Sequence, residues 1–175
     1  MPSTRLVGTD DAAALADLVV RNRDFLAPWM PLRAPEFFTE AGQRAMIEDE
    51  LDRYARGATL PRLIVDDDGA VIGRSYLNGI VYGAFRSCSV AYWVDAGQNG
   101  RGVATAALRE MIRVAFDELA LHRVQAETLL ANAGSQRVLA HCGFVRIGTA
   151  PDYLKIAGRW QDHVLWQLID PAATD

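Results

Sequence analysis

Seven consecutive residues, Asn99-Gly100-Arg101-Gly102-Val103-Ala104-Thr105, stand where a helical apolar pattern begins. The first turn of a helix has backbone N–H groups with no intrahelical partner. Ser, Thr, Asp or Asn side chains usually meet them, yet no such cap follows Asn99 before the helix starts. Gly100 and Gly102 instead let the backbone approach a ligand closely and take dihedrals closed to other residues. Bare amides and the helix dipole suit the oxygens of a phosphate. Arg101 offers a charge-assisted contact, and Thr105 a hydroxyl. Taken alone, the segment has two readings: a glycine turn whose helix is capped by water, and a phosphate site.

Other chemistry fits the chain less well. There is no Gly-x-x-x-x-Gly-Lys-Ser/Thr phosphate loop, and Gly100-x-Gly102-x-x-Thr105 lacks the third glycine of a dinucleotide fingerprint. A dinucleotide-dependent oxidoreductase is therefore a remote alternative. No Gly-x-Ser-x-Gly elbow marks a serine hydrolase. His122, His141 and His163 show no metal-ligand spacing, so we expect no metal. Cys88 and Cys142 read as two reduced thiols rather than a disulfide framework.

The elements that must position the glycine segment can be read from periodicity. Asp10 caps a first helix running to about Phe25, broken by Pro28, Pro31 and Pro35 in a loop over 22–35. Thr39 caps a second helix that stops at Gly57. Strands follow over 60–65, from Ala70 toward Ile80, and over 88–94; short turns join them, including Asp66-Asp67-Asp68-Gly69. They should form an antiparallel meander. The glycine segment then opens a helix whose stripe is Ala104, Ala107, Leu108, Met111, Ala115 and Leu119. A strand over 123–129 makes this a crossover unit, its two strands parallel or separated within one sheet. A short helix over 133–141 ends at Gly143, and strands over 144–147 and 163–168 close the chain. The fold class is α+β, and residues 1–175 read as one domain.

Bulk properties narrow the class. The chain has 175 residues and a net charge of −4, with a pI near 5.4. That balance argues against non-specific nucleic-acid binding, which runs on basic surface. The first eleven residues lack the layout of a signal peptide, and no apolar run is long enough to span a bilayer. We expect a cytoplasmic protein with no membrane partner.

Several motifs, in order, give the chain a resemblance. Asn99, Gly102 and Ala104 fall on the pattern Gln/Arg-x-x-Gly-x-Gly/Ala, with Asn99 departing from the usual first residue. This resembles motif A of the GNAT superfamily of N-acetyltransferases. Asn22-Arg23-Asp24-x-Leu26-x-Pro28-Trp29 and Ala91-Tyr92-Trp93-Val94 are similar to segments of its RimJ/RimL branch, the ribosomal-protein N-terminal acetyltransferases. So are Asn132-x-x-Ser135-x-x-Val138-Leu139 with Gly143-Phe144, Asp152-Tyr153, and Gly158-Arg159-Trp160-Gln161-Asp162-His163. The resemblance covers nearly the whole chain.

It implies a mixed, strongly bent sheet with splayed central strands, here those over 88–94 and 123–129, flanked by helices. It implies acetyl-CoA as cofactor, with its pantetheine arm on the backbone of Tyr92, Trp93 and Val94. The pyrophosphate would sit on the amides from Asn99 and Gly100 through Arg101, Gly102, Val103 and Ala104 to Thr105. Asn132 and Ser135 would lie near the thioester, although either also suits a helix cap. An amine attacks the thioester, an oxyanion needs a backbone donor, and Ser135 or Tyr92 protonates the leaving sulfur. Many relatives carry a glutamate where this chain has Ser89, so Glu127 becomes one candidate base, with Asp24, Glu36, Glu40 and His163 as others, and a water chain that serves a weakly basic amine without any side-chain base as a further alternative. The acceptor groove would draw on Trp29, Phe37, Tyr153, Trp160 and His163. The acceptor is a protein N-terminus, or alternatively a small amine, antibiotic or metabolite, with a longer acyl group also conceivable. A CoA-binding module without catalysis is a further alternative, and a homodimer is compatible with the exposed aromatics.

Overall fold

The computed structural model describes residues 2–172. Its centre is a seven-stranded sheet in the order β1-β2-β3-β4-β5-β7-β6. The strands are β1 (Ser3–Leu6), β2 (Thr59–Val65), β3 (Val71–Val81), β4 (Ser87–Val94), β5 (Arg123–Leu129), β6 (Val145–Ile156) and β7 (Arg159–Ile169). The helices are α1 (Ala12–Arg21), α2 (Arg23–Leu26), α3 (Glu40–Ala55), α4 (Val103–Arg113) and α5 (Ala133–His141). Among the described residues no helix is long and apolar enough to cross a membrane.

β2, β3 and β4 pair antiparallel as the expected meander. β4 and β5 are adjacent and parallel, but only over Ser87↔Arg123, Cys88↔Val124 and Ser89↔Gln125. Beyond that point β4 pairs only with β3, and β5 only with β7. The two central strands therefore part, as the resemblance implied.

Alternation along the strands builds a core on each face. On one face Leu108 and Met111 of α4 and Leu139 of α5 bury against Val90, Val124 and Ala126. On the other, Leu15 and Leu18 of α1 and Ile47 of α3 bury against Leu63 and Val65. Full burial of each large apolar side chain is worth about 1.5–3 kcal/mol, so α4 and α1 clamp the sheet from opposite sides.

The structure corrects several expectations. The first helix breaks at Asn22 rather than running to Phe25. Its cap is not Asp10. Asp11 accepts the Gly8 N–H at 2.8 Å and forms two contacts with Arg5. β1 is an additional edge strand. β6 and β7 are much longer than 144–147 and 163–168; they form a hairpin that turns at Ala157 and Gly158, with φ of 49° and 82°. α4 ends at Arg113 and continues as a π turn over Val114–Glu118. Thr39 does cap α3, accepting from the Gly42 N–H.

Candidate active site

The chain from β4 into α4 is built to leave amides free. Asp95 accepts the Gly97 N–H at 3.0 Å, fixing a single 3₁₀ turn over Ala96–Gln98. Gly100 and Gly102 then take φ of 76° and 78°, the left-handed region that glycine enters without steric cost. Nothing lies within 4 Å of where a Cβ would stand at either. Gly102 occupies the cap position of α4 and has no side chain to fill it. The first backbone bond of the helix runs from Ala106 N to Gly102 O, so the amides of Val103, Ala104 and Thr105 precede it. The result is an open concavity rimmed by bare N–H groups at the positive end of a helix, a fit for phosphate oxygens.

Remote residues hold this turn. Asn22, 1% exposed, accepts the Ala96 N–H at 2.8 Å while its own amide donates to Leu18 O. Arg21 pairs with Asp95 at 2.8 Å. Burial pushes the Asp95 carboxyl up, but the Gly97 amide and Arg21 outweigh it and hold it below the usual range.

A cavity of about 530 Å³ runs along the gap between β4 and β5 and under α3, a size typical of ligand sites. On the α4 and α5 face of the gap, Tyr92 Oη meets Ser135 Oγ at 3.0 Å. Burial pushes the Tyr92 phenol up to about 12, against the opposing effect of its Ser135 bond. Asn132 caps α5, its Oδ1 accepting from Ser135 N at 3.0 Å, and this orients Ser135. Glu127 alternates with Ala126 and so projects from the opposite face. Burial pushes its carboxyl above the usual range, opposed by the Ser89 hydroxyl at 3.4 Å and by His163. His163, 3% exposed, lines the same cavity, with Nδ1 2.9 Å from Gln161 O.

Residues 5–145 match the family model of the acetyltransferase (GNAT) domain. The chain belongs to the GNAT family of acetyltransferases. It is 34% identical to a probable N-acetyltransferase, YjcK, of Bacillus subtilis, over 92% of this chain and 90% of that protein. It is also 34% identical to the ribosomal protein uS5 alanine N-acetyltransferase of Escherichia coli, over 95% of this chain and 87% of that one. Among solved structures, RimJ of Mycobacterium smegmatis in complex with CoA-disulfide superposes with a TM-score of 0.93 at 29% identity, covering 99% of this chain and 84% of that chain.

Within this GNAT frame the residues singled out from the sequence separate into groups. Tyr92, Trp93, Glu127, Asn132, Ser135, Trp29, Phe37 and His163 all line the one cavity. Tyr153 does not; it lines a second, adjoining cavity and lies beside the His163 ring at 5.6 Å. Trp160 stands near the hairpin tip, 60% exposed and outside both linings, so the structure does not bring it to the groove. Of the alternative bases, Asp24, Glu36 and Glu40 are exposed, and Glu40 pairs with Arg44. Sequence reasoning missed Arg21, Asp95 and the α3 wall, where buried Glu50 meets Arg74 at 2.5 Å. A buried-type pattern containing Asn22 was the available signal for the turn. The Glu50–Arg74 pairing spans 24 residues and has no local signature.

Proposed function

We propose that this GNAT enzyme moves an acetyl group from acetyl-CoA to the N-terminal α-amine of a protein, in the first instance a ribosomal protein, in the cytoplasm. The observation that carries the reading is the parting of β4 from β5 after Ser89↔Gln125, with proton-handling groups on both faces of the gap. The acceptor assignment draws on the relatives named above, one of which acts on the alanine of uS5.

The amides of Val103, Ala104 and Thr105 would hold the pyrophosphate, with Arg101 at the rim. The unpaired edge of β4 at Tyr92, Trp93 and Val94 would hold the pantetheine. When bound, acetyl-CoA supplies the activated acyl group. The chain's own residues do the rest. Glu127 accepts the proton that the amine sheds as its C–N bond forms. An α-amine has a pKa of roughly 7.7–8.0, so a carboxyl lifted above the ordinary range is better matched to it than an exposed one. A β4 amide facing the gap steadies the oxyanion. As the C–S bond breaks, Tyr92, with Ser135 against its hydroxyl, gives the sulfur a proton. A phenol near 12 is protonated throughout the working range.

Purified enzyme with acetyl-CoA and alanine-led peptides is the test, followed by thiol release and by the mass of the N-terminal residue. Equimolar thiol and N-terminal acetylation are expected, with N-terminally blocked peptides inert. Turnover confined to polyamines or free amino acids sinks the acceptor assignment. Absence of thermal protection by CoA sinks the cofactor site.

A further inference from the structure

Glu127 stands where two cavities meet. The second, of about 380 Å³, opens on the same sheet face toward the turn between β3 and β4, and Asn78, Glu127 and Leu154 line both. Its floor is a row of uncharged polar side chains from three neighbouring strands: Asn78 lies opposite Ser89, and Ser89 opposite Gln125. Ser87 Oγ contacts Gln125 Oε1 at 3.3 Å, which leaves the Gln125 amide N–H groups for another partner. Two strands that line this groove, β3 and β6, bulge beside it. β3 carries one surplus residue between Asn78 and Val81, where Gly79 has φ of 57° and open space at its missing Cβ. β6 carries two between Ala150 and Leu154, where Asp152 has φ of 45°. Bulges beside active sites re-aim side chains, and the second one presents Tyr153 and Leu154 to the groove. Phe85, 53% exposed, forms the far wall.

We propose that this second groove seats residues two and three of the acceptor polypeptide, with the amine of residue one at Glu127. The inference rests on the protein N-terminus reading above. A small amine needs only Glu127 and the gap. A row of neutral donors and acceptors matches an extended backbone, which offers one of each per residue. Phe85 and Tyr153 give apolar surface to the side chains. The length also fits. Gln125 is two residues from Glu127 along β5, about 7 Å at the rise of a strand, and two extended acceptor residues span about the same.

The test is a series of acceptors: alanine amide, then alanine-led di-, tri- and hexapeptide amides, on wild type, Phe85→Ala and Gln125→Ala. Thermal protection by CoA confirms that each variant is folded. For wild type, kcat/KM is expected to rise up to the tripeptide and stay level beyond it. In each variant the tripeptide to alanine amide ratio should fall about tenfold, the worth of one good aromatic or hydrogen-bonded contact. A length gain that both variants keep overturns the proposal, as does a loss that strikes alanine amide equally. Peptide acetylation by wild type with no length gain overturns the groove alone. Acetylation of small amines and of no peptide overturns the acceptor reading and the groove with it.

Discussion

Burial raises the affinity of both Glu127 and Tyr92 for a proton, and the proposed reaction uses the two consequences in opposite directions: one group takes a proton, the other gives one. Glu127→Gln removes the base with little change of shape, and kcat should fall by about 10²–10⁴. The rising limb of the wild-type pH–rate profile should sit above the ordinary carboxylate range and vanish in the variant. The same shift fixes a sign for stability. A carboxyl whose folded pKa is raised contributes stability fully below its unfolded value, roughly 4.3, and loses it as pH rises through the folded value. Above its folded pKa the ionised, half-buried Glu127 is therefore a cost, and there Glu127→Gln should melt above wild type, with the gap closing on acidification. Thermal melts across pH check this; a gap that widens toward low pH refutes it. Tyr92→Phe keeps the packing and loses the hydroxyl, so kcat should drop while KM for acetyl-CoA holds.

The turn between β4 and α4 shows which part of an element can be read locally. Its glycines and missing cap are visible in seven adjacent residues, because the backbone conformation they permit is a local property. Its brace is not: Asn22 reaches Ala96 across 74 positions, and only the oddity of an asparagine on the helical stripe of Leu15, Leu18, Val19 and Leu26 hints at it. β6 is legible in the sequence for only three of its residues, Val145 to Ile147, because it is an exposed edge strand with a two-residue bulge, which destroys alternation. β1 is too short to show a period. The hairpin turn uses Ala157-Gly158 instead of the Asn-Gly that betrays such turns. Of the candidate site, the glycine turn and the Asn132–Ser135 pair are legible as motifs and Glu127 by its place on a strand, while Trp160, expected in the groove, stands just past the hairpin tip, opposite Lys155, and is exposed. Two substitutions test the turn as a unit. Gly102→Ala should cost about 1–2 kcal/mol for its left-handed backbone and, by placing a methyl in the space that phosphate would use, raise KM for acetyl-CoA well beyond that of Asn22→Ala. Asn22→Ala strands the Ala96 amide and should destabilise by about 1–3 kcal/mol. Titration of CoA against each, with melting in parallel, separates the effects; equal loss of CoA affinity in both would argue that the amides do not bind phosphate.

At the scale of the whole molecule each face of the sheet has an apolar core, but α4 and α3 are seated on their faces by different forces, and that separates the two halves of the site. The α4 face is an apolar core running from Leu108 through Val124 to Leu139. On the other face α3 buries only Gln43, Ile47 and Glu50. It is seated by the Glu50–Arg74 pair and by Gln43 donating to Phe37 O at 2.5 Å. Arg74 is 1% exposed and also lies over the Tyr76 ring, so removing its partner leaves a buried charge without its counter-ion. Glu50→Ala should therefore cost about 3–5 kcal/mol, lowering Tm on the order of 10 °C for a chain of this size. Glu50→Gln keeps a hydrogen bond and should lose less. Because α3 roofs the side of the cavity proposed for the acceptor while CoA would rest on α4 and β4, the variant that stays folded at lower temperature should show a raised KM for the amine and an unchanged Kd for CoA. Urea melts and two-substrate kinetics at 15 °C or so, safely below a melt depressed by this amount, measure both. A matching loss of CoA affinity would mean that the splay itself depends on α3, and that the two halves of the site are one mechanical unit rather than two.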